Sequence, residues 1–426
     1  MPSDADHLDA TPAGQLTRPA RRRDTLTLLA LSALLGVGIK LGSVAVLDEV
    51  GLGIFFLLRW TRGRRLALRL RNPYDLCLFY FGWAYLIGFV TSGNVNALRY
   101  VAIAALIMWT GDPRLLEPPS RRLIEAASWI FIAITIAIPL VGFTRQLPIA
   151  WWQEWLWSGT AYASFGVFVA ASILVWRGGL RRFGLVVFLV FASAILNDSR
   201  TTFLLSGLLA FPMLRILARP RSTVRRPRPG IVRALSATAA AAAFVVVIGS
   251  RYFDHVDIED FNRTLGALWG SVDAWAAGDP VFDSSRRDMN QTTLDLAGEN
   301  VLHFVFGAGG LSHQHDMLGL VLTRSGAIVR PTGLPAVIFD GGALLFALMA
   351  VSTLIAAWMA FAQRTDLVGG LYLAAIPVVS FALIAVTNLL ESTLFWLILK
   401  PGFVPMLFAD AHPVLKSTGR VERAGS

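Results

Sequence analysis

Long apolar runs separated by short polar loops fill the chain from residue 25 to residue 409. A helix needs about 20 apolar residues to cross the hydrocarbon of a bilayer, and fewer where it is short or broken. On that criterion the pattern predicts spans at 25–40, 43–59, 75–91, 98–111, 123–143, 158–176, 183–197, 201–218, 234–250, 333–361, 367–388 and 392–409. Lys40, Asp48 and Glu49 interrupt the first pair, which reads either as a helical hairpin or as one span beside an interfacial helix. The expected fold class is all-α: a polytopic transmembrane helical bundle of about 12 spans with one large, partly helical exterior loop.

Composition agrees with lipid as the solvent. The 426 residues are 55% hydrophobic and only 15% charged, with a mean hydropathy of +0.59, whereas soluble domains carry about 25% charged residues. The net charge of +10 is nearly all arginine, gathered between apolar runs. Six arginines lie in Arg59–Arg71, and Arg114, Arg121 and Arg122, then Arg177, Arg181 and Arg182, then Arg215–Arg233 continue at every second loop. Arginine-rich loops stay cytoplasmic, so both termini are expected inside and the long loop outside. This explains the basic balance without nucleic acid. Arg21–Arg23 before an apolar run resembles a signal peptide, but no small-residue cleavage site follows and many spans do, so cleavage is not expected. The lone Cys77 permits no intramolecular disulfide.

These boundaries predict a disordered cytoplasmic tail at 1–24, helices one to nine over 25–250, and a large loop over 251–332. Helices ten to twelve follow over 333–410, then a cytoplasmic tail at 411–426. Within the loop, Leu265, Leu268, Trp269, Val272 and Trp275 recur at helical spacing after an N-cap at Asp260. Asp279–Glu299 is polar and turn-rich, and reads as a mobile lid.

Candidate chemistry gathers in this loop and at two helix mouths. Gly307-Ala308-Gly309-Gly310 precedes His313 and His315. Glycines let successive backbone N–H groups form an anion-binding nest, and histidine takes a proton near neutral pH. The histidines read as a general base, as a metal pair on extended chain, or as solvated loop residues; no third ligand cluster accompanies them. Arg263 reads either as a cation for a ligand or as the ion-pair partner of Asp257, Glu259 or Asp260. Arg200, between Ser199 and Thr201, either snorkels or grips phosphate through its planar guanidinium. Glu391 in Asn388–Thr393 is an ionisable group at membrane depth, either functional or paired with Arg200 or Arg263.

In order, a Ser-Arg-Thr turn at Ser199, a loop arginine before Trp269, Gly-x-Gly, a histidine shortly after, and Asn-x-x-Glu at Asn388 form a set. Over roughly residues 75–405 this set resembles the O-antigen ligase and O-antigen polymerase superfamily of bacterial polysaccharide polymerases and ligases. Asp316 stands where the family's pattern has Asn, and Asp340 where Glu is more familiar. The resemblance implies a metal-independent glycosyltransferase of the bacterial plasma (inner) membrane, with no cofactor. Its donor would be an undecaprenyl-diphosphate-linked glycan and its acceptor a sugar hydroxyl, in O-antigen or exopolysaccharide synthesis. The partners implied are membrane lipids and other polysaccharide-assembly proteins. On this reading Arg200, Arg263, Ser199, Gly307 and Gly309 bind the donor diphosphate, and His315, His313 and Glu391 are catalytic. No nucleotide motif is present, consistent with a donor that carries its own leaving group. The competing reading is a transporter or flippase of lipid-linked glycan, which should place charges midway along its spans.

Overall fold

The computed structural model describes residues 18–36, 40–41, 45–60, 70, 72–109, 121–144, 160–178, 180–196, 202, 205, 207–209, 284–311, 333–364, 366–385 and 389–408. The described chain is helical apart from one antiparallel pair of two-residue strands. Its elements are α1 (Arg18–Leu35), β1 (Lys40–Leu41), β2 (Ala45–Val46), α2 (Leu47–Trp60), α3 (Pro73–Ser92), α4 (Val95–Trp109) and α5 (Arg121–Thr144). There follow α6 (Thr160–Arg177), α7 (Leu180–Leu196), α8 (Ser284–Gly298), α9 (Val301–Phe306), α10 (Leu334–Ala362) and α11 (Leu367–Ala382). Two 3-10 turns, Leu383–Ala385 and Leu389–Glu391, lead to α12 (Thr393–Leu399) and α13 (Phe403–Leu407).

Three described helices are long and apolar enough to cross a membrane: α3, the 122–141 stretch of α5, and α10. Shorter apolar helices accompany them at Thr25–Leu35, Val95–Trp109, Ala163–Trp176 and Leu367–Ala382. The spans expected at 201–218 and 234–250 lie almost wholly outside the described residues, as does the stripe from Asp260 to Trp275.

Local sequence explains where the helices start. Asn72 accepts the N–H of Asp75 with its side chain and Pro73 takes the first helical position, so α3 begins there. Asp366 caps α11 in the same way, accepting from Gly369. Gly93, left-handed at φ 67°, stops α3, and Asn94 alone separates it from α4. That tight turn folds α4 back along α3, where Gly82 leaves room for Ala104. Every residue of α6 from Ala163 to Trp176 is buried. A helix apolar on all sides belongs in a core, and α1, α5 and α7 pack around this one.

Three expectations are corrected. The tail at 1–24 is helical from Arg18, where α1 begins. The last span, expected unbroken over 392–409, is split at Lys400–Gly402. Gly402 is left-handed there, and Lys400 is buried with Nζ donating to the Ile107 carbonyl. The lid predicted at Asp279–Glu299 contains α8, whose exposed face is polar (Gln291, Thr292, Asp295) and whose Thr293 and Ala297 are buried. The first pair resolves as a hairpin: β1 and β2 turn the chain so that α2 packs along α1.

Candidate functional site

α10 is interrupted after its second turn. Gly342 takes φ 71° and ψ 173°, a break no ordinary helix contains. Helical bonds across the break are lost, so the Phe339 and Asp340 carbonyls need other donors. The glycine loop supplies them: Ala308 N donates to Phe339 O (2.7 Å) and Gly309 N to Asp340 O (3.0 Å). Gly307 N closes α9 on His303 O (2.8 Å), Gly310 N reaches Ala84 O of α3 (2.8 Å), and Leu311 N donates to Asp340 Oδ2 (3.0 Å). Five consecutive amides are thus engaged within the protein. None is left to cradle phosphate, which corrects the assignment of Gly307 and Gly309 as diphosphate-binding through a nest.

The glycines serve close packing instead. A Cβ on Gly307 would strike the Asp340 carbonyl, one on Gly310 the Tyr85 ring, and one on Gly88 the Gly310 carbonyl. Gly307 and Gly309 also sit at φ 78° and 108°, and Leu311 is left-handed at φ 64°. A leucine there costs about 1–2 kcal/mol; it is held by its bond to Asp340 and by nearly complete burial.

Tyr85 links this loop to a second cluster. Its ring lies 4.8 Å from that of Tyr100 and 4.5 Å from that of Phe81, and Phe81 lies 4.5 Å from Trp396. Arg99 stands over Tyr100 and donates through Nε to Glu49 Oε1. Beside Glu49, Asp48 is only 1% exposed. Its Oδ2 accepts the N–H of Thr393 (2.8 Å), the first residue of α12, while Ser392 Oγ caps that helix from Phe395 N. Among the described residues, Asp48 Oδ1 and Thr393 Oγ1 are buried without a hydrogen-bond partner. A buried polar oxygen left so costs about 1–3 kcal/mol. Arg99, Glu49, Asp48 and the start of α12 together form one mouth of the bundle, and the glycine loop with Asp340 lies partway down α3 from it.

Among the expected site residues, Glu391 reaches this mouth by its backbone, in the 3-10 turn just before Ser392. Ser199, Arg200, Arg263, His313 and His315 lie outside the described residues. Thr202, two residues past Arg200, is buried and donates to Ser164 Oγ (2.7 Å) near the start of α6. Both sit among Phe168, Val190, Leu205 and Leu209. Among the described residues no three His, Cys, Asp or Glu side chains gather as a metal would require.

Sequence reasoning passed over Asp48, Glu49 and Arg99. Two adjacent acids opening an apolar run were legible, but only as an interruption of it. Their partners lie on α4 and α12, far along the chain.

Comparison with known protein families, with curated proteins and with solved structures finds no match to this chain.

Proposed function

We propose that the chain is a membrane glycosyltransferase that transfers or polymerises undecaprenyl-diphosphate-linked glycan on the outer face of the bacterial plasma membrane. In this reading about 12 spans carry a large exterior loop, and both termini are cytoplasmic. The observation that carries it is where polarity stands in the described helices. No ionisable residue falls midway along α3, α5, α10 or α11. The buried carboxyl Asp48 stands with Glu49 and Arg99 at one mouth, and Asp340 with the non-helical glycine loop lies partway into the bundle from that same side. Chemistry confined to one surface needs that distribution; transport needs a polar path from face to face.

The step follows from the donor. An acceptor hydroxyl attacks the anomeric carbon, the bond to the diphosphate breaks, and the polyprenyl diphosphate leaves with the bonding pair. His315, or His313 in its place, takes the hydroxyl proton. Arg200 and Arg263 hold the charge developing on the diphosphate, where exclusion of water strengthens the attraction. Glu391, whose backbone lies in the 3-10 turn before α12, is the further catalytic residue of this reading.

The broken α10 is the observation that speaks for the transporter alternative, because discontinuous helices build transporter ion sites. Its freed carbonyls are already occupied by Ala308 and Gly309 amides, which weighs against an ion there. The test is glycan transfer by Arg200→Ala and Arg263→Ala in membranes. Each is expected to lose transfer while inserting normally; full transfer by either removes the diphosphate clamp.

A further inference from the structure

Helix α9 is exposed on nearly every side, and apart from His303, which is also exposed, its exposed side chains are apolar. Val301 is 75% exposed, Leu302 64%, Phe304 43% and Phe306 51%. A helix that met one protein partner would show a single apolar stripe. The helix just before it, α8, does the opposite and turns Gln291, Thr292 and Asp295 outward. The switch from a polar to an apolar exposed surface occurs within the two residues Glu299 and Asn300 that join them.

The depth of α9 follows from its bonds. Tyr80 Oη donates to the Phe306 carbonyl (2.8 Å). Tyr80 lies about twelve residues from the Ser92 end of α3, roughly 18 Å along the axis. Ala84, which receives the Gly310 amide, lies about 12 Å below the same end. So α9 leads into the span of α3 and the glycine loop climbs partway back. Backbone that is not helical survives at such depth only where its polar groups are satisfied by protein. The complete engagement of the amides from Gly307 to Leu311 meets that condition. The flanking α10 likewise shows large apolar side chains outward at Val351, Leu354 and Trp358, so an apolar belt continues past α9.

We infer that α9 and the glycine loop form a re-entrant element, with α9 bathed in the acyl chains of the leaflet it enters. The partner of its exposed surface is lipid hydrocarbon. The inference rests on the membrane character of the bundle and stands apart from the reaction proposed above.

Spin labelling tests it in the full chain reconstituted into phosphatidylcholine–phosphatidylglycerol vesicles. Cysteine is placed singly at Val301, Leu302 and Phe304, at Gln291 as the water reference and at Leu354 as the lipid reference. Cys77, the sole native cysteine, is buried in the bundle, and the parent chain run in parallel measures its background. At the three α9 positions, nitroxide collisions with oxygen should match Leu354→Cys, and collisions with a water-soluble nickel chelate should be lost relative to Gln291→Cys. Nickel collisions at the Gln291 level would place α9 in water and overturn the inference. Low collision rates with both reagents would mean that protein covers it, a second copy or another segment, and would overturn it equally. Three positions guard against one label displacing the helix.

Discussion

The two ends of the bundle are held together by different means. At one end, Arg182 Nη1 bonds Glu125 Oε2 (2.8 Å), both partly exposed, and the buried charge is a cation, Lys400, whose Nζ donates to the Ile107 carbonyl. Arg364 lies 5.0 Å from the centre of the Trp176 ring and donates to the Phe408 carbonyl, and Trp176 stacks on Tyr372. Toward the other end a similar pair, Arg99–Glu49, is joined by buried carboxyls, Asp48 and Asp340, answered by backbone N–H groups, and the main chain adopts left-handed φ at Gly307, Gly309, Leu311 and Gly342. Surface pairs are close to neutral in energy. Buried carboxyls and strained backbone persist only where surrounding packing over-determines them. Stability and vulnerability are therefore distributed unevenly along the bundle axis.

The largest effect should come from Gly88→Ala. The added methyl overlaps the Gly310 carbonyl, so the loop must leave α3 and strand amides in an apolar setting. A loss of about 3 kcal/mol or more is expected from overpacking plus unsatisfied donors. It would be read as a lowered thermal midpoint in detergent, with Gly53→Ala, where nothing lies near, unchanged. Next comes Asp48→Ala, which strips the acceptor from Thr393 N and should cost about 1–3 kcal/mol. Asp48→Asn keeps a carbonyl oxygen in place and should recover most of that loss; equal damage from both would mean that the hydrogen bond is not what Asp48 contributes. The smallest is Arg182→Ala, at about 0–1 kcal/mol and shrinking with salt. Should it destabilise as much as Asp48→Ala, the contrast between the two ends is wrong.

Helices were readable from hydropathy alone: the expected spans 75–91, 98–111 and 367–388 overlap α3, α4 and α11, and the caps at Asn72 and Asp366 that fix two of the starts emerge only in the structure. The break in α10 was not readable, because Gly341-Gly342 in an apolar run carries no sign of what will dock there. Its meaning depends on amides that arrive from Ala308 and Gly309. Gly-x-Gly was readable as special but its role was inverted: the glycines admit neighbouring backbone rather than an anion. Asp48 was hidden for the same reason, since its donor Thr393 comes from the last part of the chain. Hydrophobic periodicity records how a residue meets lipid, whereas long-range docking leaves no periodic trace.

The two-residue turn at Gly93-Asn94 bears on how the protein is made. α4 has 15 residues, roughly 22 Å of helix against about 30 Å of hydrocarbon, and it brings Arg99 with it. Alone it is a poor substrate for the insertion machinery. Joined to the 20-residue α3 by so short a turn, it has nowhere to go but alongside. A pair so joined is expected to enter the membrane during synthesis as one hairpin, with α4 carried by a neighbour already translated.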